Sequence, residues 1–323
     1  MIKEIQIGNV VIKNNLALAP MAGITDMPLR LLAKEGGAGL VYSEMVSAKA
    51  LFYTDEKSKR LLRISDKERP VAAQIFGADA KDMEIAAKIV EDLGADIVDI
   101  NLGCPVRKII KSGAGAKLLT NEKLIAEILE RVVKSVKIPV TIKTRIGLIQ
   151  GQDAAGEIIQ IAQKCGIAMA AVHARYACFG HLGEPDIEAF RRACENAKIP
   201  VFANGGIVDE INAKKFLEIP NCAGLMIGRG AIANYNIFNN LAAYFNENKK
   251  PKKENLKTRM LWLKTHAESS MKYYPNQKGL TVMRKIFPYY VKGLPNASSI
   301  KDRFNKISTI KEFNEILKDI ESA

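Results

Sequence analysis

Eight short runs rich in β-branched and aliphatic residues mark the first 230 positions: LALAP (16–20), GLVYSEMV (39–46), PVAAQIFG (70–77), ADIVDINLG (95–103), IPVTIKTRIG (138–147), IAMAAVHA (167–174), IPVFANGG (199–206) and CAGLMIGRG (222–230). Their near-continuous apolar character implies strands buried on both faces, as in a parallel sheet. Between them lie stretches of helical period, such as DMEIAAKIVEDLG (82–94) and NEKLIAEILERVVKSV (121–136), each long enough to cross over between parallel strands. Eight strand–helix units fit a closed (β/α)8 TIM barrel better than an open sheet. A preceding segment, IQIGNVVIKNN (5–15), predicts a hairpin turned at Gly8-Asn9 and able to plug the barrel bottom. After Gly230 the rhythm stops. NENKKPKKEN (246–255) has the charge and proline of a linker, and helices are predicted in LKTRMLWLKTHAESSMKYY, LTVMRKIFPYYVKGL and SIKDRFNKISTIKEFNEILKDIESA. The expected organisation is an α/β barrel over 1–245 followed by an all-helical domain over 250–323.

Composition adds a function class. The chain carries a formal net charge of +13, and residues 241–323 hold 17 Lys and Arg against 8 Asp and Glu, a net +9. The same segment has ten of the 21 aromatics, including Trp262, Tyr273, Tyr274, Phe287, Tyr289 and Tyr290. Two readings stand: a charged and stacking surface for RNA, or a solvated helical face whose aromatics are core. No apolar run approaches the roughly 18 residues that span a bilayer, and MIKEIQIGNV lacks the pattern of a signal peptide, so a soluble cytoplasmic protein is expected. Five cysteines (104, 165, 178, 194, 222) form no CxxC spacing, which points to free thiols and away from a metal site.

In barrels of this kind chemistry is built at the C-terminal ends of strands. Those ends are polar here: Pro20-Met21-Ala22-Gly23, Ser43-Glu44-Met45, Gln74, Asp99 with Asn101 and Cys104, Lys143 with Arg145, His173 with Arg175, Asn204-Gly205-Gly206, and Gly228-Arg229-Gly230. Thr141, Lys143 and Arg145 share one face of an otherwise apolar strand, so Lys143 either meets an anion or snorkels to solvent. His173 reads as a site residue or a satisfied core histidine. Glycine pairs after the last two strands allow close approach of a phosphate. The absence of GxGxxG, GxxxxGK[ST] and GxSxG disfavours a Rossmann site, a P-loop and a serine hydrolase. SGAGAKLL (112–119) is read as a flexible loop entering a helix. Cys104, between a glycine and a proline, is open to a structural or a reactive role.

Taken in order, LAPMAGITDMPLR (18–30), SEM (43–45), QIFG (74–77), DINLGCPVRKIIKSGAGAKLL (99–119), VTIKTRIG (140–147), VHAR (172–175), ANGGI (203–207) and GRGA (228–231) closely resemble the tRNA-dihydrouridine synthases. VMRKIFPYYVKGLP (282–295) in the tail resembles their bacterial DusB-type branch. The resemblance implies an FMN enzyme that reduces a D-loop uridine of tRNA to 5,6-dihydrouridine, with NADPH or NADH reloading the flavin. By matching motif, Pro20, Met21 and Ala22 are expected against the isoalloxazine, Gln74 on its polar edge, and Lys143 beside the reduced anion. His173 is expected as a further flavin contact, and Asn204, Gly205, Gly206, Gly228 and Arg229 at the phosphate end. Cys104 corresponds to the proton donor, acting at C5 after hydride reaches C6, and a thiol of ordinary pKa about 8.5 is suitably protonated. Its Gly-Cys-Pro setting suits a bent, mobile loop closing over an extruded base. Asn101, Arg107, Lys108, Lys111, Arg175, Arg284 and Lys285 are expected to meet tRNA, and the chain is expected to act as a monomer.

Two departures stand out. The family often reads HGRTR where this chain has His173-Ala174-Arg175-Tyr176-Ala177, and NGD where it has Asn204-Gly205-Gly206. Two rival classes share some of these features: a flavin barrel acting on a small molecule, which has no use for a basic tail, and a non-catalytic RNA-binding barrel, which has no use for Cys104, Lys143 and His173 together.

Overall fold

The computed structural model describes every residue except 54, 55, 253, 276, 277 and 323, so one position of the expected linker and three more of the tail lie outside the described residues. The eight runs become eight parallel strands: β1 Leu16–Leu18, β2 Val41–Tyr42, β3 Val71–Phe76, β4 Ile97–Asn101, β5 Val140–Arg145, β6 Met169–His173, β7 Val201–Asn204 and β8 Cys222–Ile227. Each pairs with the next, β8 returns to β1, and a parallel bridge from Ala17 to Leu40 closes the ring. Crossover helices follow: α1 Met27–Glu35, α2 Ala48–Phe52, α3 Ala80–Asp92, α4 Glu122–Ser135, α5 Ala155–Lys164, α6 Ile187–Cys194, α7 Glu210–Leu217 and α8 Ile237–Glu247. Asp26, Ser47, Asp79, Asn121, Asp186 and Asp209 start six of them, each side chain accepting a hydrogen bond from a first-turn amide that otherwise lacks a partner.

The barrel interior is layered. Ala17, Ala19, Leu40, Tyr42, Ala72, Ile97, Met169, Ala171, Phe202 and Met226 fill its lower part together with Ile7 and Ile12 of the antiparallel hairpin Ile5–Ile7/Val10–Ile12. The hairpin turn sits against the starts of β5 and β6: Gly8 has φ +60, and a Cβ there would be 2.6 Å from Pro139. The predicted bottom plug is thus present. Because strand side chains alternate, the next inward positions above this apolar layer are Gln74, Asp99, Thr141, Lys143, His173 and Asn204. Register brings them level, with Gln74 opposite Asp99, Asp99 opposite Thr141, Asn101 opposite Lys143, and His173 opposite both Arg145 and Asn204.

Three local expectations are corrected. GLVYSEMV is not one strand: β2 stops at Tyr42, and Val46–Ser47 pairs separately with the end of β3, leaving Ser43 and Glu44 off the ladder. SGAGAKLL is not a loose loop. Gly115–Thr120 forms a 3-10 turn with Ala114, Gly115, Ala116, Leu118 and Leu119 buried, and Ala116 N donates to the Cys104 carbonyl at 3.1 Å. The loop bearing Cys104 is therefore anchored on that side. In the tail, α9 Leu256–Tyr273 is followed by two short helices, α10 Gly279–Met283 and α11 Phe287–Tyr290, where one was expected, and then by α12 Ala297–Lys306 and α13 Ile310–Glu321. Pro288 accounts for the break, since a proline continuing the helix would lose a hydrogen bond and clash with the carbonyl four residues back, that of Arg284.

Tail and barrel share one continuous apolar core that includes Leu29, Leu32, Met260, Leu263, Leu280, Phe287 and Phe313. The tail aromatics mostly belong to it: Phe287 stacks on Phe304 at 3.8 Å between ring centroids, and Tyr290 and Tyr235 share a buried hydrogen bond of 2.6 Å. Of the two compositional readings, the aromatics follow the core one, and the surface contribution of the tail is charge. Among the described residues no helix is long and apolar enough to cross a membrane, and no three His, Cys, Asp or Glu side chains are grouped to hold a metal.

Candidate active site

A hydrogen-bonded chain runs across the top of the barrel. Thr141 Oγ1 donates to Asp99 Oδ1 (2.6 Å), Gln74 Nε2 donates to Asp99 Oδ2 (2.7 Å), and Asn101 Nδ2 donates to Gln74 Oε1 (2.9 Å). Asn101 Oδ1 then accepts from the backbone N–H groups of Gly103 (3.1 Å) and Cys104 (2.9 Å). Burial pushes the Asp99 carboxyl up to about 6, while its hydrogen bonds and Lys143 act the other way. The chain gives the Cys104 loop a fixed origin on β4. Burial also raises the half-buried Cys104 thiol above its ordinary pKa, with the Val106 backbone and the charges of Arg145 and Lys143 offsetting it in part. The thiol therefore keeps its proton at neutral pH.

Opposite this chain the charge is positive. Lys143 Nζ donates to Asn204 Oδ1 (2.9 Å), and Asn204 Nδ2 donates to the Met226 carbonyl (2.7 Å), which joins β5, β7 and β8. Burial, and then Arg145, bring the Lys143 pKa down to about 8. Arg145 is 2% exposed and spends its guanidinium on carbonyls, with no ion pair to a carboxylate among the described residues: Nε donates to Gly103 O (2.8 Å) and Nη1 to Gly180 O (2.8 Å). It ties the loop after β4 to the loop after β6. Arg175 Nε donates to Gly183 O (3.0 Å), and its Nη1 lies 3.2 Å from His173 Nε2. Burial, and then the charges of Lys143, Arg145, Arg175 and His181, hold His173 well below the ordinary histidine pKa. That imidazole is neutral, which lets Nε2 accept from Arg175.

The glycines that follow are required by this packing. Gly205 has φ +114, and a Cβ on it would fall 2.6 Å from His173 Cδ2 and 3.2 Å from Arg175 Nη1; Gly206 has φ +71, with Pro185 Cγ 2.5 Å from such a Cβ. Any side chain at 206, aspartate included, would meet Pro185. Arg229 is exposed at the end of β8, donates to the His181 carbonyl (3.4 Å), and its charge lowers the pKa of Arg175 after burial does. The result is a cradle of backbone and cations that disfavour one another's charge, the condition that a bound anion relieves.

On the other side of the mouth, Pro20, Met21 and Ala22 form the turn after β1. Met21 N donates to Thr25 Oγ1 (3.0 Å), Gly23 N donates to Glu44 Oε2, and Gly228 faces Met21 Sδ at 3.6 Å from the position of a Cβ. Arg107, Lys108 and Lys111 lie exposed on the short helix Arg107–Lys111 just beyond Cys104. The two tail cations part company: Arg284 turns into the tail, where Nη2 donates to Ile307 O (3.3 Å), whereas Lys285 reaches the barrel mouth at Gly23. Clefts of ≈ 550 Å³, lined partly by Arg63, Lys272 and Tyr273, and ≈ 280 Å³, lined partly by Asp153 and Arg192, lie on the flanks and contain none of these strand-end groups.

Several participants carried no site role in the sequence reading. Asp99, Thr141 and Arg145 were legible as inward strand positions. His181 was not; its ring lies 5.8 Å from that of His173, and burial followed by four nearby cations brings its pKa down to about 4. The one signal available was its rarity, as one of three histidines in the chain.

A family model described as dihydrouridine synthase matches residues 17–323. A probable tRNA-dihydrouridine synthase of Rickettsia bellii is 35% identical over 302 residues, covering 93% of this chain and 93% of the relative. The tRNA-dihydrouridine synthase B of Pasteurella multocida is 35% identical, covering 98% of each chain. Among solved structures, a variant of NCR from Zymomonas mobilis superimposes at TM-score 0.55 with 18% identity, covering 79% of this chain and 94% of that one, a likeness of fold.

Proposed function

The chain belongs to the dihydrouridine synthase family, and on that footing we propose that it reduces a D-loop uridine of tRNA to 5,6-dihydrouridine with FMN, reloaded by NADPH or NADH. The observation that carries the flavin is Arg175 packed against Gly205 and Gly206 beside neutral His173, with Lys143 on the adjoining Asn204 and the charge of Arg229 felt at Arg175. A phosphate-bearing ring fits this donor set: the cations ask for an anion, and glycine backbone lets one approach. Asn204, Gly205, Gly206, Gly228 and Arg229 hold its phosphate end. Pro20, Met21 and Ala22 form the wall for its ring, with Gln74, Lys143 and His173 along the polar edge. Bound there, the flavin supplies hydride.

The chain's own residues do the rest. Reduction of the uracil C5–C6 bond at C6 leaves negative charge toward C5 and the C4 carbonyl, and Cys104 Sγ–H supplies the proton that C5 needs. Asn101 fixes the backbone of that acid through two hydrogen bonds. Uridine must leave its stack to reach the strand ends, at a cost of a few kcal/mol. Arg107, Lys108, Lys111, Arg175 and the basic helical domain after residue 250 supply phosphate contacts that offset it. Arg284 serves this region from inside the tail, by holding the Ile307 turn, and Lys285 serves it at the mouth. The family match runs through the tail to residue 323, which supports a shared macromolecular substrate over a small molecule.

The test maps dihydrouridine in tRNA from a strain lacking this gene, with and without the gene restored. One uridine position that loses and regains the modification is the expected result; an unchanged map rejects the reading.

A further inference from the structure

Glu44 stands where β2 breaks off, and it is 6% exposed. Its Oε2 accepts a hydrogen bond from the N–H of Gly23. Beside it, Ser43 Oγ accepts from Gln74 N (3.0 Å) and donates to the Glu44 carbonyl (2.9 Å), fastening this backbone to β3. The carboxylate is thus held from the barrel wall and in turn holds the Pro20–Gly23 turn. The peptide it grips is the Ala22–Gly23 unit, so one contact sets the plane and carbonyl direction of a rigid group in that turn.

From the other side comes a cation. Lys285 Nζ lies 2.6 Å from where a Cβ of Gly23 would stand, and Gly23 has φ +72, so the approach depends on glycine twice over. Lys285 sits in the break between α10 and α11 that Pro288 imposes; burial raises the Glu44 pKa above the ordinary carboxylate value, and the Gly23 N–H, then the charges of Lys285 and Arg30, act against that rise and favour the ionised form. Fold stability does not explain an acidic side chain here. A neutral glutamine would accept the same amide hydrogen bond without the cost of burying a charge. What a carboxylate adds is a stronger, more directional grip on the N–H, because a bond to an ionised acceptor is about twice as strong as a neutral one.

We infer that Glu44 is a positioning residue that sets the Pro20–Gly23 turn against which the flavin lies, and that Lys285 of the tail, acting through Glu44, couples cofactor affinity to the seating of the tail. The inference rests on the flavin reading above. It assigns Lys285 a task that exists before any RNA is bound.

The test is titration of the full-length, flavin-stripped protein with FMN, followed by flavin fluorescence, with no tRNA present. Glu44→Gln is expected to weaken FMN binding about tenfold and Lys285→Met by somewhat less, the scale of one charge-assisted hydrogen bond. Lys292→Met removes an equal charge from an exposed position of the same tail and leaves the affinity unchanged. The discriminating readout is the double variant: once residue 44 is neutral, Lys285→Met costs nothing further, whereas two independent structural roles would multiply. Lys285 is exposed, so its variant reports even where a Glu44 variant fails to fold. Wild-type FMN affinity in Lys285→Met, or multiplying losses, overturns the coupling alone. A wild-type chain that takes up no FMN overturns the flavin reading beneath it.

Discussion

Replacing Lys143 by Met should move stability and cofactor affinity in opposite directions. In the cofactor-free protein Lys143 carries its charge in a site that is largely closed to water, and burial, followed by the charge of Arg145, brings its pKa from 10.5 to about 8. That fall corresponds to roughly 3 kcal/mol of cost to the folded state at neutral pH, an upper figure because part of the ammonium reaches solvent. Methionine has similar bulk and no charge. It loses the 2.9 Å hydrogen bond to Asn204 and leaves that acceptor short of a donor, which costs about 1–2 kcal/mol. The balance is a cofactor-free protein more stable by about 1–2 kcal/mol, while FMN binds roughly tenfold to a hundredfold more weakly for want of one charged contact. The sign with pH follows. A lysine with a lowered folded pKa leaves the unfolded chain holding more protons between about pH 8 and 10.5, so wild-type stability rises with pH across that window and the variant's does not. Urea unfolding of the stripped protein and FMN titration measure the two effects. A variant that is destabilised, or that binds FMN like the wild type, refutes the view of Lys143 as a charge held in reserve for an anion.

Cys104→Ala should retain FMN and tRNA binding and slow single-turnover reduction by about 10²–10⁴, the usual loss on removing a general acid. Under the proposed mechanism the acid form is the active one, so the rate should hold through neutral pH and fall as pH rises through a thiol pKa that burial has raised; an alkaline limb unchanged in the alanine variant would assign it elsewhere. Arg30→Met should lower the stability of the whole chain by about 3–5 kcal/mol, because it strands a buried carboxylate. Arg30 Nε and Nη2 donate to Glu68 at 2.6 and 3.0 Å, with both residues fully buried, and Arg30 also donates to the carbonyls of Thr25 and Arg63. The urea midpoint reports this, and an unchanged midpoint would mean that the pair adds nothing to the fold.

Much of the barrel was legible because burial on both faces writes itself as continuous apolar runs, and because period-2 placement is local: Thr141, Lys143 and Arg145 share a face whatever the rest of the chain does. The hairpin plug was legible from Gly8-Asn9 for the same reason. What stayed hidden depends on who meets whom. GLVYSEMV carries enough β propensity to read as one strand, yet it opens at Ser43 and Glu44, whose side chains bond Gln74 N and Gly23 N. SGAGAKLL has the composition of a loose loop, yet its alanines and leucines find a core and its backbone meets Cys104. Tail aromatics among lysines left a stacking surface and a core face both open, and Phe287, Phe304 and Tyr290 face inward. Arg284 and Lys285, adjacent in sequence, point to different regions because the helix breaks there.

The two halves of the site are joined electrostatically as well as by hydrogen bonds. Lys143 and Arg145 both lower the Cys104 pKa, against a burial effect that raises it further, so the acid is strongest when the cations are unanswered. An anion seated among those cations cancels part of that pull and drives the thiol back up. On the proposed mechanism the proton would then be held most firmly when the cofactor is in place, and would leave only for a base as strong as the C5 of a uracil reduced at C6. A weak acid in a water-poor site is slow to lose its proton to solvent and well matched to a strongly basic acceptor. Lys143→Met cancels the same pull permanently. The alkaline limit of Cys104-dependent reduction in that variant should therefore lie above that of the wild type, even though the variant needs more FMN to reach it.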